Sequence, residues 1–594
     1  MAALKIENLI TDHLDLWSAA VRPKSSAGRG ASSKLELTGI KKLRELILEL
    51  AVRGKLVPQD PSDEPASVLL ERIAAEKVRL VKEGKIKKPK ALPKVSEQDK
   101  PFELPKGWVI TRLGEIGIWA TGNGFPTNEQ GLEDLEILFC KVSDMNLDGN
   151  ERFILKSMNT VSEDTALRIK LNLHKAGTVI FPKIGGAIAT NKRRIISKAT
   201  AIDNNCLGIT PYSEVASDYL FLLLTSIDMA KYQVGTSVPA LSQGTLELIP
   251  IGIPSIDEQH RIVAKVDELM ALCDQLELRS ESQLAAHQTL VEALLATLTD
   301  SCDADELAQN WARLSNHFDT LFTTEASIDT LKQTILQLAV MGKLVLQDPS
   351  DEPAIDLLNR LVSKRDEWLK KESKENSEAM TMLRKLKKLT VPTAPFELPK
   401  AWTCAHLIQL SQMLVDCHNK TAPYVEVGIP IVRTTNIRER QFIDRDLKFV
   451  SKETYDYWSR RCPPEPGDII FTREAPMGEA LIIPAGETWC LGQRTMLIRP
   501  MHEFVSNKFL LLALTEPHLL ERASEHAVGL TVKHLRVGDV ENLNIPLPPL
   551  AEQHRIVAKV DELMALCDQL TSRLQTSQQT QLALAESLVE GALA

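Results

Sequence analysis

The nineteen residues from Glu258 to Leu276, EQHRIVAKVDELMALCDQL, recur without a single change from Glu552 to Leu570, 294 positions later. Pro101–Lys106 (PFELPK) returns as Pro395–Lys400 at the same offset, and each copy reaches a tryptophan two positions on, Trp108 and Trp402. A third block, LAVRGKLVPQDPSDEPA at 50–66, returns as LAVMGKLVLQDPSDEPA at 338–354. Three collinear matches make the chain a tandem duplication of one module. A period near 290 is far longer than that of a solenoid repeat. Each module runs helix, Gly-Lys-Leu-Val loop, second helix, proline-rich entry, variable region, long helix.

The variable regions, roughly 107–250 and 401–545, show almost no resemblance to each other. Drift in two equivalent domains would not leave a nineteen-residue identity at one end and near randomness beside it. Selection or recombination for two different specificities, on a common frame, accounts for both.

The constant segments carry helical periodicity. Ile262, Val266, Leu269, Cys273 and Leu276 are spaced 4, 3, 4 and 3, the a/d seam of a coiled coil, and Ile556, Val560, Leu563, Cys567 and Leu570 repeat it. Pro254 and Pro549 stand just ahead, where a helix can begin but not extend backwards. Each long helix is expected to run about 45 residues, or about 65 Å. Because the two seams are nearly identical, they are expected to pair with each other, antiparallel and about a pseudo-twofold axis. Shorter helices are expected at roughly 36–53, 66–83, 326–341 and 354–373, with Pro65 and Pro353 at first-turn positions. The lysine-rich stretches at 82–94 and 384–388 read as solvated linkers, with phosphate contact as the alternative.

Charge and composition exclude several classes of function. The net charge of −9 rules out a broadly basic nucleic-acid binder but leaves room for a local basic groove. Residues 101–250 hold 14 Lys and Arg against 16 Asp and Glu, and residues 395–550 hold 17 against 19, so each variable region is close to −2. No apolar run approaches membrane-spanning length, and the N-terminus lacks the apolar core of a signal peptide. Nine scattered cysteines with no Cys-x-x-Cys pair argue against a zinc site or a disulfide framework and for a reducing, cytoplasmic setting.

The variable regions read as mixed α/β. Thr178–Phe181 and Asp468–Phe471 look like buried strands. Each is followed by a glycine-containing polar loop. Glycine lets a backbone approach a phosphate, and arginine or lysine can bind phosphate or read guanine. Short helices are expected at about 217–226 and 506–515. The candidate DNA-contacting residues are Lys141, Lys183, Lys192, Arg193, Arg194 and Ser237 in the first region. In the second they are Arg433, Arg438, Arg473, Arg494, Thr531 and Lys533.

Catalytic and cofactor motifs are missing. There is no phosphate-binding Gly-x-x-x-x-Gly-Lys-[Ser/Thr], no Asn-Pro-Pro-aromatic tetrapeptide, no His-Glu-x-x-His and no Gly-x-Ser-x-Gly. His260 and His554 are expected to cap the long helices or face solvent. Cys273 and Cys567 sit on the apolar seams and read as small core residues.

The repeated blocks EQHRIVAKVDELMALCDQL, GKLVPQDPSDEPA and PFELPKGW resemble the specificity (HsdS) subunits of type I restriction-modification enzymes. So do the phrases Leu246–Pro254 and Leu543–Leu550. The resemblance covers the chain from about residue 36 onward, and it is greatest to the type IB (EcoAI/EcoEI-like) branch. It implies an N-terminal helical region (1–100), a first target recognition domain (101–255) and a central helical region (256–394). A second target recognition domain (395–549) and a distal helix (550–594) follow. It also implies that each recognition domain reads half of a split DNA site, and that the paired helices act as a ruler and as a dock for two modification (HsdM) subunits. S-adenosylmethionine would bind those partners, and ATP- and Mg-dependent translocation and cleavage would belong to two restriction (HsdR) subunits. The chain itself would be non-catalytic and bind no metal or cofactor. Two departures qualify exact symmetry: Pro58 stands against Leu346, and residues 1–35 have no counterpart before the second copy. A standalone DNA-binding regulator, a fused nuclease or methyltransferase, and a coiled-coil structural protein are the competing classes. The missing motifs count against the second, and two diverged domains of this size count against the third.

Overall fold

The computed structural model of the chain describes residues 6–23, 35–96, 99–100, 102–235, 238–302, 304–525 and 534–593. They form two compact units, residues 1–282 with 577–594, and residues 283–576. Compactness thus divides the chain within the long helices rather than at the edges of the variable regions.

In the first unit, helix α1 (Thr38–Val52) buries Ile40, Leu43, Leu46, Ile47 and Leu50, a stripe at helical spacing. It ends at Gly54, whose φ of +65° favours glycine and where an added Cβ would lie 2.5 Å from Pro105 and 2.8 Å from the Trp108 ring. Helix α2 (Ala66–Lys82) starts directly after Pro65. The variable domain enters on strand β1 (Val109–Arg112). Strands β2 (Gly117–Thr121), β3 (Ile137–Cys140), β4 (Phe153–Ile154), β5 (Thr160–Val161) and β6 (Leu173–His174) follow. Then come β7 (Val179–Pro182), β8 (Arg194–Ile196), β9 (Thr200–Ile202) and β10 (Cys206–Pro211). Helix α3 (Ser217–Ser226) and strand β11 (Pro250–Ile253) complete it. β11 pairs antiparallel with β1, Val109 opposite Ile253, so entry and exit are pinned together. Two sheets form between them, in the orders β2-β10-β7-β8-β4 and β5-β3-β9-β6. Strands β3 and β7 are buried at every residue, which is why they are continuous apolar runs rather than alternating ones. The chain then enters the long helix α4 (Ile256–Asp300), whose first part belongs to this unit.

The second unit repeats the plan. Helices α5 (Glu325–Val340) and α6 (Ala354–Glu372) precede strand β12 (Thr403–His406). Strands β13 (Ser411–Asp416), β14 (Ile429–Val432), β15 (Lys448–Val450), β16 (Ile469–Thr472) and β17 (Ala480–Ile482) follow. Strands β18 (Cys490–Leu491) and β19 (Thr495–Pro500), helix α7 (Asn507–Leu514) and strand β20 (Asn544–Leu547) lead to the second long helix, α8 (Leu550–Leu593). β20 pins itself to β12, Thr403 opposite Leu547. The sheet orders are β13-β19-β16-β17 and β15-β14-β18. Strand for strand, these match β2-β10-β7-β8 and β5-β3-β9 of the first domain. A parallel pair is kept as well, β3 with β9 and β14 with β18. Two regions without legible sequence similarity share one topology.

Identical residues in the frame make identical contacts in each unit. Gln59 donates to Glu258 at 2.6 Å, and Gln347 donates to Glu552 at 2.5 Å. Arg261 pairs with Asp63, and Arg555 with Asp351 at 2.6 Å. The fully buried Gln259 accepts from Ala216 N at 2.9 Å and Gln553 from Ser506 N at 2.8 Å, so each long helix grips the backbone entering the short helix of its own domain. Lys55 donates to Leu593 O at 2.7 Å, and Lys343 to Thr299 O at 2.6 Å. In each unit the loop lysine satisfies free carbonyls at the C-terminal end of a long helix.

The seams depart from expectation in one respect. Ile556, Val560, Leu563, Cys567 and Leu570 are buried against Ile328, Leu331 and Ile335 of α5 and against Val291, Leu295 and Leu298 near the end of α4. Their partner is therefore not the matching seam of the first copy. In the first unit Ile262, Val266, Leu269 and Cys273 are buried and Leu276 is half-buried. There Arg44 of α1 reaches Asp274 at 2.8 Å and Glu277 at 2.5 Å. The first unit holds the start of α4 with the end of α8, and the second holds the end of α4 with the start of α8. Within each unit a start lies with an end, and each N-terminal seam is buried inside its own unit.

Candidate nucleic-acid interface

The strand ends of the two variable domains place cations at matching points. Lys141 directly follows β3, and Arg433 directly follows β14. Each opens a tight turn held by a buried polar residue three positions on. The Lys141 N–H donates to Asp144 Oδ2 at 2.7 Å, and the Arg433 N–H donates to Asn436 Oδ1 at 3.2 Å. The Lys141 ammonium donates to Gln130 at 2.6 Å and lies 5.8 Å from the Phe125 ring, which stacks on Phe139. Arg433 reaches Asp446 at 3.1 Å.

The second pair follows β7 and β16. Lys183 N donates to Asn205 O at 2.9 Å while Lys183 O accepts from Leu241 N at 2.8 Å. Arg473 N donates to Arg494 O at 2.9 Å while Arg473 O accepts from Leu535 N at 3.1 Å. These backbone bonds establish that Lys183 and Arg473 occupy the same place. The side chains differ in freedom: Arg473 is tied to Asp416 at 3.0 Å and to Leu535 O at 3.1 Å.

One candidate is corrected by the geometry. Arg193 turns inward and is 2% exposed. It donates to Leu224 O at 3.1 Å, Lys192 O at 2.8 Å and Asn191 Oδ1 at 2.6 Å, and lies over the Phe181 ring. Burial pushes its guanidinium below the usual arginine range. It braces the interior and reaches no surface partner. Alternation explains the miss: in an extended segment neighbouring side chains face opposite ways, and nothing in Lys192-Arg193-Arg194 says which one points in. Arg194 and Arg438 are half-buried and donate to carbonyl oxygens, Met145 at 2.7 Å and Thr434 at 2.7 Å respectively. The Lys192 ammonium bonds Asn146. Ser237, Thr531 and Lys533 lie outside the described residues. Arg494 is the opposite case, with an exposed side chain that pairs with Glu474.

The sequence reading passed over an aromatic group. Lys420, Tyr424, Trp458 and Gln493, with Arg433 and Arg494, line a cavity of about 240 Å³ on the second domain. His418 lies 4.4 Å from the Trp458 ring, and Arg460 stands 4.1 Å over Tyr457. Tyr457-Trp458 on a short helix was the available signal, since base-stacking surfaces combine aromatic and cationic side chains. His260 and His554 are exposed at the starts of the long helices. No group of three or more His, Cys, Asp or Glu among the described residues could hold a metal ion, and no helix is long and apolar enough to cross a membrane.

The fold and this pairing of sites define a tandem protein, with one duplicated frame carrying two domains of common topology and different surface chemistry. The type I restriction modification DNA specificity domain matches residues 105–286 and 417–577. The chain is 39% identical to the type I restriction enzyme EcoAI specificity subunit of Escherichia coli, over 99% of this chain and 100% of that one. It is also 39% identical to the EcoEI specificity subunit of Escherichia coli, over 99% and 100%. The crystal structure of the HsdS subunit from Thermoanaerobacter tengcongensis superposes with a TM-score of 0.38 at 18% identity, covering 84% of this chain and 99% of that one. The chain belongs to the specificity subunits of type I restriction-modification systems, in the EcoAI- and EcoEI-like branch.

Proposed function

We propose that this specificity subunit reads a bipartite, asymmetric site in double-stranded DNA, one half through each variable domain, and performs no chemistry itself. The observation that carries the reading is the paired placement of Lys141 with Arg433 and of Lys183 with Arg473. Two domains that share almost no sequence hold a cation after the same two strands. Dissimilar readers on a duplicated frame select unlike half-sites, separated by unread base pairs. Phosphate contacts supply much of the affinity and make it fall with salt.

The frame serves as the scaffold for two modification and two restriction subunits. S-adenosylmethionine is bound by the former, and ATP and Mg by the latter, in the cytoplasm. The test is an exchange of residues 107–250 for the corresponding region of a relative, followed by selection of sites by the complex assembled with its modification partner. One half-site is expected to change while the other half-site and the spacing stay. Altered spacing, or change in both halves, would overturn the assignment. The purified chain alone is expected neither to methylate nor to cut DNA.

A further inference from the structure

The two domains coincide at one more point. The turn between β9 and β10, Asp203-Asn204-Asn205, and the turn between β18 and β19, Gly492-Gln493-Arg494, occupy the same place. Asn205 O accepts from Lys183 N and Arg494 O accepts from Arg473 N, each at 2.9 Å. The main chain is tight behind both turns. A Cβ at Gly122 would lie 1.8 Å from Asp203 O, and one at Gly492 would lie 2.6 Å from Val432 O. The turns are therefore fixed by backbone on two sides, while the side chains of Asn205 and Arg494 are exposed.

Each of these side chains is also held from within by a carboxylate. Asn205 Nδ2 donates to Asp203 Oδ2 at 3.0 Å. An ionised carboxylate only accepts, so this bond sets the amide orientation and leaves Oδ1 and a second N–H free. Arg494 pairs with Glu474 through Nε, and its side chain is 57% exposed, so the two terminal nitrogens remain available to a partner outside the protein. A fixed amide edge matches the N7 and N6 groups of adenine, and a fixed guanidinium fork matches the N7 and O6 of guanine. Arg193, Arg194, Arg438 and Arg473 offer no such edge, because protein acceptors already engage them.

We propose that this turn is the base-reading element of both domains, with Asn205 reading an adenine in one half-site and Arg494 a guanine in the other. The proposal rests on the DNA-reading function given above. To test it, the full chain assembled with its modification partner is presented with random duplexes, and the selected sites are sequenced. Asn205→Ala is expected to lower the preference for one A·T pair by roughly 5- to 150-fold, in one half-site only. Arg494 adopts a φ of +69°, which asparagine tolerates well, so Arg494→Asn keeps the turn. That variant is expected to select A·T where the natural chain selects G·C, in the other half-site. Arg494→Lys keeps the charge but not the fork, and is expected to lose the guanine preference while binding unrelated duplexes as before. Thermal unfolding confirms that each variant is folded.

Unchanged selections beside a selective natural chain would overturn this proposal alone. So would an equal loss of affinity on every duplex, or full guanine preference in Arg494→Lys. A natural chain that selects no sequence at all would overturn the functional reading beneath it as well.

Discussion

In the frame, one contact is made twice by the same residues. Gln59 with Glu258 and Gln347 with Glu552 are superimposable in chemistry, as are Lys55 and Lys343 at the helix ends. In the variable domains, one topology is made twice by different residues. β7 is Val-Ile-Phe-Pro where β16 is Ile-Ile-Phe-Thr, and the cation that follows is a lysine in one and an arginine in the other. The frame depends on directed polar contacts that only particular side chains can make. The sheets depend on burial, which any apolar residue of suitable size satisfies. The attachments of the domains differ too. Arg152, held by Asp218 of its own domain at 2.7 Å, joins the first domain to its long helix through Asp267 at 2.8 Å. In the second unit Asp561, the repeat equivalent of Asp267, meets Lys508 at 3.6 Å.

The comparison can be broken most severely by cutting the chain after residue 323. The half-chain keeps its own seam and loses the end of α8, which belongs to the same compact unit. A second copy supplies the end of α4 instead, where Val291, Leu295 and Leu298 are apolar, as the lost Ala585 and Val589 are. A closed twofold dimer selecting a split palindrome is expected, read by sedimentation and by selection from random duplexes. A folded monomer, or a dimer that keeps an asymmetric site, would refute the equivalence of the modules.

Replacing Arg193 by alanine strips buried acceptors and leaves a cavity, so a loss of about 3–5 kcal/mol of stability is expected with site choice unaltered. Denaturant unfolding and site selection check the two halves of that statement. Inserting four residues within 277–300 lengthens α4 by about 6 Å, close to two steps of the ~3.4 Å base-pair rise. The expected outcome is a longer preferred spacer or lost activity; unchanged spacing at full activity would show that α4 is not the ruler. Gln59→Leu and Gln347→Leu should each cost about 1–3 kcal/mol and, if the frame is truly duplicated, the same amount.

The smallest effect concerns Glu258 and Glu552. Burial raises the pKa of both carboxyls above their ordinary value near 4.5. The folded state then holds their protons more tightly than the unfolded chain does. Stability from these groups is full below the unfolded value and declines as pH rises through the folded one. Glutamine at 258 and 552 keeps an acceptor and is expected to flatten that decline above pH 4.5, measured by unfolding across pH.

Much of the architecture was legible. Duplication, both long helices and the short helices α1, α2, α5 and α6 followed from identity and periodicity, since repetition and helical spacing are properties of the chain alone. The apolar runs before Lys183 and Arg473 gave the strands, and Arg494 was among the residues named. The common topology of the two domains was not legible, because strand order is set by which edges pair across long separations, and burial tolerates many sequences. Nor was the fate of Arg193, since adjacent charges in an extended segment face opposite ways and only the tertiary structure decides which side is interior. The seams show the division most clearly. Their sequence determined that they would be buried in helices, because an apolar residue every three or four positions must leave water. The tertiary structure alone decided what buries them, because each compact unit gathers the start of one long helix with the end of the other.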